Sequence, residues 1–252
     1  MTTSRTPNGE ITDMPVHIFP IQSVPEGITG WDSIEHTYDL VRTYLADHRQ
    51  LGQKDEKHLH CANVEKVGVA IRAFASWVKQ LPEDEPKLLW LSLHGKPPLN
   101  KQQVGTRAVS ASFRADADQD KSAEIADWWK TIGELSGQFP PNVVVMMDVC
   151  WGGSPSAPAA LTRRSGNPQL LFGPVRSAHR LELDAATGLI LASLIGGMVP
   201  SVAEAKNVIS ALNTSFPKDA DSNKPFFRVW WWDKNGSHDW FPKLGPRVKR
   251  VE

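Results

Sequence analysis

The sequence contains only two cysteines, Cys61 and Cys150, among its 252 residues. Two cysteines are too few for the disulfide framework of a secreted domain and are typical of a reducing compartment, where a thiol can stay free. No stretch approaches the roughly 18 apolar residues of a membrane span, and the polar N-terminal residues lack the basic-then-apolar pattern of a signal peptide. We therefore expect a cytoplasmic protein that does not bind membranes.

An excess of charge of either sign is also missing, because 28 Lys and Arg residues are balanced by 28 Asp and Glu residues. This balance argues against a nucleic-acid partner. The sequence has no glycine-rich nucleotide motif and no phosphate loop, and its cluster of His58, His60 and Cys61 matches no common zinc spacing. We expect neither a metal nor a cofactor, and we assign Cys61 to the core.

Short apolar runs alternate with segments of helical periodicity along most of the chain. This alternation predicts one α/β domain over residues 15–252, a three-layer α/β/α sandwich with a mostly parallel central sheet, after a disordered stretch at residues 1–14. The predicted strands are 16–24, 87–93, 142–149, 169–175 and 226–232, with weaker ones near 58–62 and 105–115. The predicted helices are 33–50, 64–81, 122–137, 183–197 and one that begins near Ser201, and the predicted loops are 51–57 and 152–168.

Two residues with catalytic chemistry follow the most apolar predicted strands. His94 ends the run KLLWLSL, and Cys150 ends the run NVVVMMDV. Catalytic groups of open parallel sheets gather at the carboxyl ends of the strands, and a thiol becomes a strong nucleophile when an imidazole takes its proton. Glycines follow both residues, in SLHGK and MDVCWGGS, and we interpret them as sharp turns with accessible N–H groups. The sequence thus predicts a catalytic dyad of His94 and Cys150, with the N–H groups of Gly95 and Cys150 as an oxyanion hole.

This pair of motifs resembles the caspase, metacaspase and paracaspase clan of cysteine peptidases. A strand ending in His-Gly is followed by a strand ending in Asp-x-Cys-x-Gly-Gly, and Cys150 stands 56 positions after His94; in caspases that distance is about 50. The caspase pentapeptide is absent, so the sequence is closer to bacterial and metacaspase-like members. The resemblance implies a caspase-like fold, hydrolysis of protein or peptide substrates, and an effector in bacterial stress or antiviral defence that a small molecule or a protein partner activates.

Asp148 lies two positions before Cys150, so strand alternation directs both side chains to one face of the sheet. In the metacaspases that the sequence resembles, an acid at this position faces a basic substrate residue. We therefore predict that Asp148 binds substrate and selects Arg or Lys before the scissile bond. The alternative is a buried, hydrogen-bonded carboxylate with a structural role. His179 lies near the same sheet edge, where a structural or substrate-wall role is favoured over catalysis.

The predicted loop at 152–168 stands where caspase-like peptidases carry the linker that is cut during maturation. It contains Arg163 and Arg164, and its Pro, Ser and Gly content predicts an exposed segment open to proteolysis. If Asp148 selects basic residues, the loop offers a self-cleavage site after either arginine. The alternative is that the two arginines only keep the loop exposed to water and are not cleaved.

Two other functions compete with the peptidase hypothesis. One is a catalytically weak caspase-like module that binds a small-molecule signal or a partner, and the other is a cysteine hydrolase that does not act on peptides. Three of the ten tryptophans, Trp230 to Trp232, are adjacent, and we interpret them as core or subunit-contact residues rather than a ligand platform.

Overall fold

The computed structural model describes about half of the chain. The described residues are 15–23, 51–54, 61, 64–96, 110–112, 123–124, 139–140, 142–153, 169–194, 198–216, 226–233 and 235–242. Among them no helix has both the length and the apolar character needed to cross a membrane.

The described part of the chain forms one sheet of nine strands with three α-helices. The strands are Val16–Ser23 (β1), Leu51–Lys54 (β2), Lys87–Lys96 (β3), Ser110–Ser112 (β4), Ala123–Glu124 (β5), Val143–Asp148 (β6), Leu170–Pro174 (β7), Phe227–Asp233 (β8) and Gly236–Trp240 (β9). The helices are Val64–Trp77 (α1), Arg180–Leu194 (α2) and Val202–Ser215 (α3). The sheet order is β2-β1-β3-β6-β7-β8-β9, and a short branch of β4 and β5 extends from β3.

The first five strands of this order are parallel, whereas β8 and β9 are antiparallel to their neighbours. The central strand β6 is buried on both faces, which agrees with its apolar residues from Val143 to Met147, and only its last residue, Asp148, is charged. Its side chains alternate between two core clusters, with Val145 on the face covered by α1 and Met146 on the face covered by α2 and α3. The predicted three-layer α/β/α architecture with a mostly parallel sheet is confirmed.

The third helix is fixed at both ends by side-chain hydrogen bonds. Ser201 caps its start in a capping box with Glu204, which satisfies two backbone N–H groups. Near its end, the Asn213 amide donates to the carbonyl oxygens of Ile209 and Phe227, at 2.8 and 3.0 Å, and accepts from the N–H of Phe227 at 3.1 Å. These bonds attach α3 to the start of β8.

Most predicted strands and helices that fall on described residues are present. The strands predicted at 16–24, 87–93, 142–149, 169–175 and 226–232 are present, as are the helices predicted at 64–81, at 183–197 and after Ser201. The loop prediction was wrong for 51–54, which pair with β1, and the helix prediction was wrong for 123–124, which pair with β4. The disordered stretch at 1–14, the helix at 33–50 and the remainder of the 122–137 helix lie outside the described residues.

Of the three adjacent tryptophans, Trp230 belongs to the core, and the other two are partly buried. Trp230 is buried in the cluster on the α1 face, against which Trp232 also packs, and Trp231 packs against the cluster on the opposite face. Cys61 is also a core residue, 4 % exposed, and burial raises the pKa of its thiol to about 11.

Candidate active site

The strands that carry His94 and Cys150 are hydrogen-bonded neighbours in the sheet. β3 and β6 run parallel, and Ser92 pairs in register with Asp148. His94 and Cys150 therefore each stand two residues beyond the same aligned pair. The strand before His94 was predicted to end at residue 93, but β3 continues to Lys96 because β4 pairs with it there, with His94 opposite Ser112.

A tight turn follows β6 and carries Cys150. Trp151 adopts a left-handed backbone conformation with φ of 67°, which is uncommon for a residue with a side chain. The N–H of Trp151 donates to the Arg176 carbonyl at 3.3 Å, and the N–H of Gly153 donates to the Pro174 carbonyl at 2.8 Å. The turn is thus bonded to the residues at the end of β7.

The two glycines of this turn have a packing role that differs from the predicted one. The N–H of Gly152 donates to the Val149 carbonyl at 2.8 Å, and Gly153 donates as described above, so neither group is open to a substrate oxygen. A Cβ on Gly153 would lie 2.7 Å from the carbonyl carbon of Gly173, and one on Gly152 would lie 2.8 Å from the Cβ of Met147. Glycine is needed here because two backbones approach closely.

The Cys150 sulfur is buried beneath the segment that follows β7. Cys150 is 7 % exposed, and its Sγ accepts a hydrogen bond from the N–H of Ala178 at 3.4 Å and donates to the Ala178 carbonyl oxygen at 3.7 Å. Burial raises the pKa of the Cys150 thiol, and the negative charges of Asp148 and Glu182 raise it further, against a lowering by the Ala178 N–H. This environment favours the neutral thiol, so forming a thiolate requires a base.

Asp148 lies at the end of β6 with no exposed surface. The indole Nε1 of Trp90 donates to its Oδ2 at 3.3 Å, and Trp90 is itself fully buried on the neighbouring strand β3. A buried, hydrogen-bonded carboxylate is what the structural alternative for Asp148 expects. Its role as a substrate-binding residue stays a prediction.

An ion pair that the sequence analysis missed fixes the segment over Cys150. The Arg176 guanidinium binds both carboxylate oxygens of Glu182, at 2.8 and 3.2 Å, and both side chains are largely buried. Glu182 also accepts a 2.8 Å hydrogen bond from the N–H of His179, just before α2. Glu182 stands three residues after His179, which is the spacing of a helix N-cap and the acidic residue that accepts its N–H. This spacing could have indicated the bond between Glu182 and His179 from the sequence.

The other predicted site residues are described only in part. Gly95 pairs with Ala111 in the ladder of β3 and β4. The side chain of His179 is exposed, and the substrate-wall role of His179 stays a prediction. Arg163, Arg164, His58 and His60 lie outside the described residues.

Comparisons with known proteins assign no function to the chain. No protein-family model and no curated protein matches it. Among solved structures, protein GSU0716 from Geobacter sulfurreducens is similar, with 14 % sequence identity, 82 % of this chain and 90 % of that chain covered, and a TM-score of 0.39. A similarity of this size supports no argument about function.

Proposed function

We propose that the protein is a cysteine peptidase in which His94 and Cys150 form the catalytic dyad. The observation that supports this proposal is the strand register, since the two residues follow an aligned pair on neighbouring parallel strands by the same number of positions. Adjacent strands are about 4.8 Å apart, so the backbones of Ser92 and Asp148 lie within side-chain reach of each other. His94 follows two residues later in β3, and Cys150 follows two residues later in the turn after β6. The resemblance of the His-Gly and Asp-x-Cys-x-Gly-Gly motifs to caspase-like peptidases supports it independently.

The proposed reaction begins with transfer of the Cys150 thiol proton to the imidazole of His94. The thiolate attacks the substrate carbonyl, and the imidazolium protonates the leaving amine, after which water hydrolyses the thioester. The N–H groups of Trp151, Gly152 and Gly153 are engaged by backbone carbonyls, so they do not serve the oxyanion. The proposed oxyanion donors remain Gly95 and Cys150.

For substrates, we propose proteins or peptides with Arg or Lys before the scissile bond. The support is the carboxylate of Asp148, which stands two residues before Cys150 and whose negative charge raises the pKa of the thiol. Because Asp148 is fully buried, a basic side chain of a substrate reaches its carboxylate only after the residues that cover Asp148 move apart. An effector of bacterial stress or antiviral defence, switched on by a signal, fits such a closed site.

The test is covalent trapping by peptidyl chloromethyl ketones that differ only in the last residue, Arg or Asp. We expect the Arg probe to label Cys150 and not Cys61, because only Cys150 lies at the proposed site. Intact-mass and peptide-mass spectrometry would locate the label. The Asp148→Asn variant is the matched control, and its labelling by the Arg probe should be about 30-fold slower, since truncating a buried charge pair costs about 2 kcal/mol or more.

A preference for the Asp probe would contradict the assignment of Asp148 while leaving the dyad in place. Absence of labelling by either probe, in a preparation whose Cys150 does react with iodoacetamide, would favour the catalytically weak module instead. One observation supports that alternative, namely a buried thiol whose pKa is raised. A label on Cys150 without peptide hydrolysis would favour the hydrolase that does not act on peptides.

Self-cleavage after Arg163 or Arg164 is a further prediction from this specificity. We expect activation to cut the 27.9 kDa chain into fragments of about 18 and 10 kDa, in proportion to the lengths on either side of the arginines. Intact-mass spectrometry of the activated protein would detect the fragments, with Cys150→Ala and an Arg163→Ala/Arg164→Ala double variant as controls. Full activity in an uncut chain would contradict the prediction.

A further inference from the structure

We propose that the segment Val175–His179, called the strap below, is an inhibitory cover over Cys150 that the ion pair of Arg176 and Glu182 holds closed. Opening the strap would expose the thiol. The regulatory meaning of the strap rests on the proposed peptidase function, whereas its effect on the thiol does not.

The first observation is that the main chain of one residue contacts the sulfur with both of its polar groups. The Ala178 N–H donates to Sγ, and the Ala178 carbonyl oxygen accepts from the S–H. The second bond exists only while the thiol keeps its proton, because a thiolate has no hydrogen to donate. A thiolate would face the carbonyl oxygen at 3.7 Å, so the strap as it stands matches the unreactive form of Cys150.

The second observation is that the ion pair of Arg176 and Glu182, which is largely buried, holds the strap in place. Arg176 is 4 % exposed, and its guanidinium makes a bidentate pair with Glu182 and also donates to the Ser177 carbonyl at 2.7 Å. Its cation lies 4.7 Å from the ring centre of Phe226. Bidentate pairs of this kind are among the stronger hydrogen-bonded contacts, and they fix geometry as well as distance.

The third observation is that the ion pair connects the strap to helix α2. Glu182 belongs to the first turn of α2, and it receives the N–H of His179 at the end of the strap. The other end continues from β7, where the N–H of Val175 donates to the Phe226 carbonyl at 2.9 Å. Between these two ends, the N–H of Trp151 donates to the Arg176 carbonyl oxygen, and Ala178 packs against the core. The Arg176 side chain adds the bond to Glu182, and we expect its loss to loosen the strap around Ala178.

The experiment measures how fast iodoacetamide alkylates each cysteine in the wild type and in the variants Glu182→Gln and Arg176→Met. Peptide-mass spectrometry reports Cys150 and Cys61 separately in the same sample. We expect both variants to accelerate alkylation of Cys150 by about tenfold or more, with Cys61 unchanged. Tenfold corresponds to about 1.4 kcal/mol in the equilibrium between closed and open strap.

The matched control is Glu204→Gln, because Glu204 holds the same position in the first turn of α3 and receives the N–H of its cap residue Ser201. This variant removes a helix-capping carboxylate elsewhere in the fold and is expected to leave the alkylation of Cys150 unchanged. Glu182→Asp keeps the charge on a shorter side chain and should give an intermediate rate, which provides a milder variant if the others do not fold.

Three results would overturn the proposal. They are an unchanged or slower rate at Cys150 in the strap variants, an equal acceleration of Cys61 that indicates a generally loosened fold, and an equal acceleration in Glu204→Gln. None of these readings depends on peptide hydrolysis. A failure of the strap proposal is therefore distinguishable from a failure of the peptidase proposal.

Discussion

Replacing either Cys150 or His94 by alanine is expected to reduce peptide hydrolysis by about 10⁴-fold or more. In a nucleophile and base that act as a unit, loss of either member removes nearly all covalent catalysis. The base is especially important here because burial raises the pKa of the Cys150 thiol, so little thiolate forms without a proton acceptor. The measurement is kcat/KM on a basic peptide substrate, with circular dichroism to check the fold.

The matched control for the nucleophile is Cys61→Ala. Cys61 is the other cysteine of the sequence and a buried core residue, so its loss should change stability slightly and leave kcat nearly intact. Comparable hydrolysis by Cys150→Ala, in a protein whose circular dichroism matches the wild type, would remove the dyad hypothesis. Loss of activity in Cys61→Ala without loss of structure would mean that Cys150 is not the nucleophile and that Cys61 takes that role.

Replacing Gly153 by alanine is expected to lower the free energy of unfolding by about 3 kcal/mol, which lies at the upper end of the range for overpacking. The added methyl group would overlap the backbone carbonyl of Gly173, and neither backbone can move without breaking the hydrogen bond from Gly153 to Pro174. Trp230 also donates to the Gly153 carbonyl at 3.0 Å, so the shift would disturb the core. Urea unfolding would measure the change, and labelling of Cys150 would report the displaced turn.

Gly188→Ala is the control for this variant. Gly188 is an exposed glycine within α2, and a Cβ there would meet no atom within 4 Å. Alanine at an open helical position should stabilise the protein by about 0.5–1 kcal/mol. The two substitutions add the same methyl group, so equal effects at both positions would contradict the close-approach interpretation of Gly153.

The sequence predicted the parallel core of the fold because that core has a strong and simple pattern. Strands such as β6 are buried on both faces and read as unbroken apolar runs. The edges have weaker patterns. β2 has the sequence LGQK, in which only the pairing with β1 reveals a strand. β9 was missed, although Asn235-Gly236, where β9 begins, is a strong hairpin signal.

The candidate site was only partly predictable, since its main contacts join residues that are distant in sequence. The paired motifs identified His94 and Cys150, and the register of β3 and β6 supports their proximity. The contact on the Cys150 sulfur comes from Ala178, 28 positions later, and no local sequence pattern predicts that contact. The glycines after Cys150 were interpreted as open N–H donors because the sequence does not show that the turn closes on Val149 and packs against the end of β7.

The pairing of β6 with β7 determines what a cut between them does to the molecule. The piece before the cut carries β1 to β6 and α1, and the piece after it carries β7 to β9, α2 and α3. One core cluster combines β1, β3 and β6 from the first piece with α2 and α3 from the second, so neither piece covers its own apolar surface. A nick between β6 and β7 would therefore leave two tightly associated fragments, which separate on a denaturing gel but migrate together in gel filtration.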